Sequence, residues 1–296
     1  MSTPYDPTLI LLGLNCQKLF GITPQPYDSL QVKVKKCAAT RGLSNTPYDK
    51  LEKMLLDIYN TLSDDIDLDG GGTPTPGPSV PALTNLVAYW KMDETSGNRL
   101  DSSGNGHTLV PAGTVNMGSG RINGGAIVTG GTSHLGITSS DFSGASPFTA
   151  AAWILTLGSV GLSQPAVGHY TSSGFGNGWL IHHQSSDRFG LRLANGVGGQ
   201  MDINHTTATI RGLFYLVIVT INGTTCTIRV NNGADVSNTF TPGNPSVQFR
   251  VGEQGVLQGT SNMVVDEVGI WNRVLTSDEK LALWNSGAGK QYPFPS

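Results

Sequence analysis

The sequence predicts a mainly β fold, a jelly-roll sandwich of two sheets, preceded by a small α-helical N-terminal domain. Three observations predict it. From Leu86 onward, short runs of β-branched and aromatic residues alternate with Gly, Asn and Ser turns, and helical patterning returns only near the end, as in an all-β sandwich. Charged residues make up 13% of the 296 residues, beside 39 Gly. An ordinary globular chain has roughly 25% charged residues, so this surface is polar but weakly charged, which suits turn-rich β structure. Composition also changes near residue 70. Residues 1–69 contain no Trp and carry 7 Lys or Arg against 9 Asp or Glu, whereas residues 80–296 hold all five Trp and 32 of the 39 Gly.

Residues 1–69 form the predicted helical unit. Helix starts recur at Thr3-Pro4-Tyr5-Asp6, Pro26-Tyr27-Asp28 and Thr46-Pro47-Tyr48-Asp49. In the last of these Thr46 can accept an N-cap hydrogen bond, Pro47 fits the first helical position, and Asp49 faces the positive first turn. Tyr48, Leu51, Leu55, Ile58 and Leu62 then recur at helical spacing, as do Tyr27, Leu30, Val34 and Cys37 before Gly42, which supplies a C-terminal stop. With Leu9–Phe20 as a third segment this is a three-helix unit, although the alternation Val32-Lys33-Val34-Lys35 also fits a strand. Residues 70–81, Gly70-Gly71-Gly72 followed by alternating Pro to Pro81, read as a flexible and then extended spacer.

Residues 82–296 supply the sandwich. The strongest strands are Phe148–Ile154, Phe189–Leu193, Leu213–Ile221 and Thr225–Val230, all rich in β-branched and aromatic residues. Asn222-Gly223 between the last two predicts a type I′ hairpin turn, whose two central positions need positive φ. The late helix opens at Thr276-Ser277-Asp278-Glu279, a capping box, and stops at Gly287.

A net charge of −3 offers no basic field for a phosphate backbone or an anionic lipid surface, and no run of 18 apolar residues spans a bilayer. Nucleic-acid binding and membrane insertion are excluded on these grounds. Cys16, Cys37 and Cys226 lack the CxxC spacing of a zinc site and read as free thiols. No Lys or Arg precedes the apolar Leu9–Leu12 run, so no Sec signal peptide is expected.

Five stretches, in order, resemble the laminin G-like jelly rolls of the concanavalin A-like lectin and glucanase group: Val87–Gly97 with Asp101–His107, Gly120–Ala126, Phe148–Trp153, Leu213–Gly233 and Val265–Glu279. The resemblance spans residues 84–293. It implies two curved antiparallel sheets whose concave face or rim loops bind glycans, often with calcium, in a group that also includes structural modules. Fold alone does not fix function.

Glycoside hydrolysis needs two carboxyls flanking the scissile bond. Asp93-Glu94 and Asp266-Glu267 are adjacent in sequence, so on a regular strand their side chains point to opposite faces, and no catalytic residue is assigned. His182-His183 diverge on a strand in the same way, without a third metal ligand in view. For calcium, Asp101 and Asn105 offer side-chain oxygens on a tight loop, and the resemblance implies that an acidic residue of the closing strand, Asp266 or Glu267, lies near them, with Asp266 taken as the third ligand; an Asx turn anchored by Asp101 accounts for the same loop. For sugar, Tyr170, Phe175, Asn177 and Trp179 combine rings with small polar groups, the mixture that stacks on C–H faces and hydrogen-bonds hydroxyls; a Gly-rich loop beside a core-packed Trp179 accounts for it equally.

A recognition fold without an export signal predicts a phage virion-surface protein, made in the host cytoplasm and released by assembly and lysis. The expected function is non-catalytic carbohydrate binding by a capsid fibre, decoration or tail-associated protein. Residues 1–69 would attach it to other virion structural proteins as a homo-oligomer, and the jelly roll would bind a host surface glycan. The alternatives are a decoration protein that binds no glycan and a glycan-degrading enzyme.

Overall fold

A computed structural model describes residues 84–294 except 145, 158–162, 172–175 and 254–260. The expected helical unit over 1–69 and the spacer over 70–81 lie outside the described residues. So do Cys16, Cys37 and Phe175.

Fifteen strands and one α-helix follow in order among the described residues. The first five strands are β1 (Leu86–Trp90), β2 (Val110–Ala112), β3 (Val115–Ser119), β4 (Gly124–Gly130) and β5 (His134–Ile137). Next come β6 (Phe148–Thr156), β7 (Gln164–Thr171), β8 (Asn177–His183), β9 (Phe189–Asn195) and β10 (Gln200–Asn204). The last are β11 (Phe214–Asn222), β12 (Thr225–Val230), β13 (Val236–Thr239), β14 (Phe249–Gly252) and β15 (Ser261–Trp271), then α1 (Ser277–Trp284). They build two antiparallel sheets. One runs β13-β12-β11-β6-β15-β4-β3 with β1 also paired to β15, and the other runs β10-β9-β8-β7-β14-β5-β2. No helix among the described residues is long and apolar enough to cross a membrane.

Side-chain alternation assembles the core between the sheets. Phe148, Ala150, Ala152 and Ile154 of β6, Val217, Val219 and Ile221 of β11, and Trp179 and Ile181 of β8 all enter it. The intervening residues of the central strands, Ala151, Trp153, Leu216 and Ile218, are buried too, in a second cluster with Leu283 of α1, against which Trp284, Tyr292 and Phe294 also pack. This two-sided burial explains the continuous apolar run Leu216–Val219: one face meets the other sheet and the reverse face lies under α1 and the C-terminal segment. Trp90 fills the intersheet layer as a strand Trp in a sandwich should, but Trp153 and Trp271 belong to the outer cluster, where Trp153 stacks on Trp284 at 5.4 Å between centroids.

The late helix starts as the capping box predicts: Thr276 Oγ1 accepts from Glu279 N at 3.2 Å, and Glu279 Oε2 accepts from Thr276 N at 2.8 Å. Its left-handed cap is Asn285, at φ 44°, two residues before Gly287. The β11–β12 hairpin forms, but Asn222 is the last ladder residue, paired with Thr225. The central residues are therefore Gly223 and Thr224, and only Gly223, at φ +60°, has positive φ. That corrects the type I′ expectation to a turn with Gly in the first central position, the type II′ pattern.

A second correction concerns the acid pair of β15. Val265 and Val268 both enter the core, so the two residues between them form a bulge, marked by the register shift against β6 and by Glu267 at φ 48°. An extra residue breaks the two-residue period, and Asp266 and Glu267 share the outer face instead of pointing to opposite ones.

Candidate functional site

At the end of the sandwich where β6 begins and β15 finishes, the loop from β5 to β6 folds into one wall of a cleft. Ser139 Oγ accepts from Asp141 N at 3.2 Å and starts a 3-10 turn over Ser140–Phe142, as a Ser cap does. The Phe142 ring is buried and its carbonyl accepts from Trp179 Nε1 at 2.8 Å, which pins the loop to the core. Gly144, at φ +77°, lies so close to that indole that a Cβ would sit 2.5 Å from Trp179 Cδ1. Only glycine fits there. Ser146 Oγ accepts from Gly223 N at 2.6 Å, tying the far side of the loop to the β11–β12 turn.

The resulting cleft has a volume of about 330 Å³ and is lined by Ser140, Asp141, Ser143, Ser146, Pro147 and Asn272. Asn272 follows β15, and its backbone N donates to Asn85 O at 2.8 Å. From the adjoining loop, His107 brings Nε2 to 3.4 Å from Asp141 Oδ2 and sets its ring edge-on to Phe142 at 5.0 Å. Three hydroxyls, one amide and one carboxylate thus surround a volume that fits one or two sugar rings. Hydroxyls and amides both donate and accept, which matches the mixed hydrogen bonding of a polyol.

Of the described residues predicted for sugar binding, Tyr170, Asn177 and Trp179, none lines this cleft. Trp179 is fully buried between Phe148 and Phe249, so it supports the loop from beneath and offers no face to a sugar. Tyr170 is 3% exposed and packs with Leu180 and Ala194 on the outer face of its sheet; burial raises its hydroxyl pKa. Asn177 is half-buried, with Oδ1 against Gly243. The stacking platform expected of Tyr170 and Trp179 is therefore absent at these two rings, because strand alternation turns each into a packed layer. The cleft residues themselves escape sequence reading: Ser139–Pro147 reads as a turn-rich loop, and Asn272 joins it only through the pairing of β15 with β6.

The predicted calcium ligands are held in separate arrangements. Asp101 Oδ1 accepts from Tyr89 N at 3.1 Å and Ser103 N at 2.9 Å, and Oδ2 accepts from His107 N at 3.0 Å. These bonds hold its pKa below the ordinary carboxylate value against the opposing effect of burial. Asn105 Nδ2 donates to the carbonyls of Leu86 and Val87, each at 2.9 Å. Asp266 accepts from Ile122 N and Glu267 N, both at 2.9 Å. Each side chain thus has its own partners, and the loop has the hydrogen bonding of an Asx turn. Among the described residues no group of three or more His, Cys, Asp or Glu could hold a metal ion. The Asp101–Asn105–Asp266 set does not fit a calcium site as it stands.

Asp266 and Glu267, brought to one face by the bulge, are 0% and 3% exposed. Glu267 accepts from Tyr89 Oη at 2.5 Å and Gln291 Nε2 at 2.7 Å, and Gln291 Nε2 also donates to Asp93 Oδ2 at 3.0 Å. Burial pushes Asp266 up to about 8 and Glu267 up to about 7. No substrate reaches a pair sealed this way. The two histidines diverge as predicted: His182 Nδ1 meets Ser163 Oγ, whereas His183 Nε2 meets Thr209 Oγ1 at 2.7 Å.

The sequence over residues 129–279 matches the profile of the concanavalin A-like lectin/glucanases superfamily. The chain belongs to this superfamily. Membership accounts for the two-sheet architecture. No curated protein matches the chain. Similar solved structures include the binding domain of Paraclostridial Mosquitocidal Protein 1, at 20% identity and TM-score 0.56, covering 69% of this chain and 53% of that one. Another is botulinum neurotoxin type C, whose cell entry depends on interaction with two ganglioside molecules, at 15% identity and TM-score 0.54, covering 69% of this chain and 51% of that one. A third is domain 4 of AbnA, a GH43 extracellular arabinanase from Geobacillus stearothermophilus, in complex with arabinotriose, at 16% identity and TM-score 0.55, covering 67% of this chain and 97% of that one. The match thus spans about half the length of the two toxin chains. At these identities the likeness is one of fold.

Proposed function

We propose that the sandwich is a non-catalytic carbohydrate-binding module and that the rim cleft is its glycan site. One observation carries this reading: a preformed cleft of about 330 Å³ lined by three serines, Asp141 and Asn272 together with Pro147. Its loop is held by Trp179, Gly223 and Ser139, so binding need not order it, which favours affinity for a weak polar ligand. Solved relatives in fold that bind a ganglioside or arabinotriose support the same assignment. A catalytic reading finds less support, since the cleft is lined by a single carboxylate, Asp141, where glycoside hydrolysis uses two. A glycan array probed with the full chain tests the proposal. Binding lost on Asn272→Trp, which fills the cleft from an exposed position, is the expected result, and silence across the array overturns it.

We further propose that the module serves on a phage virion surface, with residues 1–69 tying it to other virion structural proteins and residues 70–81 as the spacer. The support is the abrupt compositional division of the chain, a helix-patterned segment and a Gly/Pro stretch ahead of a glycan-binding type of fold. Immunogold labelling of particles with antibody against the sandwich tests this placement; label confined to soluble protein rejects it.

A further inference from the structure

The cleft's charge goes further than its polarity. Of its lining residues only Asp141 carries an acidic side chain, and that side chain is 51% exposed, open to a ligand. Among the described residues, the basic side chain paired with it is His107, at 3.4 Å. The arginine next to Asn272 does not compensate. Arg273 Nε donates to Thr84 O at 3.0 Å, and its two terminal nitrogens donate to Glu279 at 2.7 and 2.6 Å, so its charge is already spent on a carboxylate. A ligand entering the cleft therefore meets a negative group with no recorded cation among the lining residues to pair with a second negative group. An ionised carboxylate accepts two hydroxyl donors at once, as a vicinal diol presents them, and charge-assisted bonds of this kind are stronger than neutral ones. A sugar carboxylate at the same place is repelled by like charge.

Resting on the cleft as the glycan site, we infer that it selects uncharged sugars, read by Asp141 through paired hydroxyls, and disfavours sialylated and uronic-acid glycans. Asp141 is then the specificity-determining residue, while Ser140, Ser146 and Asn272 supply the remaining hydrogen bonds. Ser143 and Pro147 complete the lining.

The test uses the full chain, as wild type, Asp141→Asn and Asn272→Trp, on matched sets of neutral and sialylated or uronate-bearing oligosaccharides, with thermal melts confirming that each variant is folded. Wild type should bind neutral members at least about tenfold more tightly than their acidic counterparts. Asp141→Asn, which keeps the shape and removes the charge, should weaken neutral binding by about tenfold and narrow the gap to acidic glycans. Asn272→Trp should abolish both. A wild type that prefers acidic glycans, and loses them on Asn272→Trp, overturns charge selection while leaving the cleft as the glycan site. Binding that survives Asn272→Trp removes the cleft and this inference together. No binding to any member removes the glycan function itself.

Discussion

Tyr89 donates its hydroxyl to Glu267 at 2.5 Å across the pairing of β1 with β15, and both groups are buried. The contact exists because the bulge turns Glu267 outward, beneath Tyr292 and Phe294, which pack on the Tyr89 ring at 5.5 and 5.4 Å. Burial raises the pKa of a carboxyl group in this position, and that makes the fold sensitive to pH.

The folded-state pKa values of Glu267 and Asp266, about 7 and about 8, lie above the roughly 4 of an unfolded carboxylate. The folded state then binds more protons than the unfolded state from about pH 4 upward, so these groups lower stability as pH rises and level off above about 8. Burial pushes His182 and His183 down to about 4, which has the opposite sign and raises stability up to about pH 6.5, the unfolded value. The two effects oppose one another below about pH 6.5, and only the acids act above it. Urea melts should show stability falling from pH 6.5 to 8, with Glu267→Gln making the fall shallower. An identical pH profile for the variant would contradict the assignment.

Trp179→Phe keeps the ring packing but removes the donor to Phe142 O. A lost buried hydrogen bond costs about 1–3 kcal/mol, and the cleft loop should loosen with it. Reduced glycan affinity from a residue that touches no ligand, measured by titration calorimetry beside a denaturation curve, is the expected pairing.

Gly144→Ala should cost more than a typical surface change. It forces positive φ on a side chain and drives a Cβ to 2.5 Å from the Trp179 ring, so at least about 2 kcal/mol is expected from strain and overpacking. A melting temperature equal to wild type would show that the loop is not pressed on the indole.

Asp101→Ala removes an acceptor of three backbone N–H groups and should destabilise the sandwich by about 1–3 kcal/mol, equally with and without calcium. Chelator should leave the wild-type melting temperature unchanged. A calcium-dependent shift in metal-loaded protein, abolished by Asp101→Ala, would restore the metal reading of this loop.

Deleting residues 1–80 should leave a cooperatively folding sandwich, since the core clusters reported for it lie between residues 86 and 294. Under the proposed attachment through residues 1–69, the truncated protein should no longer join a virion. Incorporation at the wild-type level would refute attachment through the N-terminal segment.

The strands and the late helix were legible because their signals are local: β-branched runs such as Val217–Ile221, and Thr276 with Glu279 three residues on. What depended on pairing was not. Asp266 and Glu267 look like any adjacent strand pair, and only the inward positions of Val265 and Val268 reveal the bulge. Trp179 sits in a glycine-rich stretch that suits a binding loop, yet its place on β8 opposite Leu193 puts it on the inward face. The cleft was least legible, since Ser and Asp in a loop have the same composition whether they cap a turn or line a site, and Asn272 meets them only in the folded sheet.

The way Trp179 grips its loop separates what must stay from what can change. The indole holds a main-chain carbonyl and abuts a glycine, neither of which dictates the residues at 140 and 141 on the exposed rim. Those positions can therefore be randomised together, with Ser139, Phe142, Gly144 and the Ser146 tie to Gly223 left untouched, to give a display library whose members share one scaffold and differ in the ligands they capture.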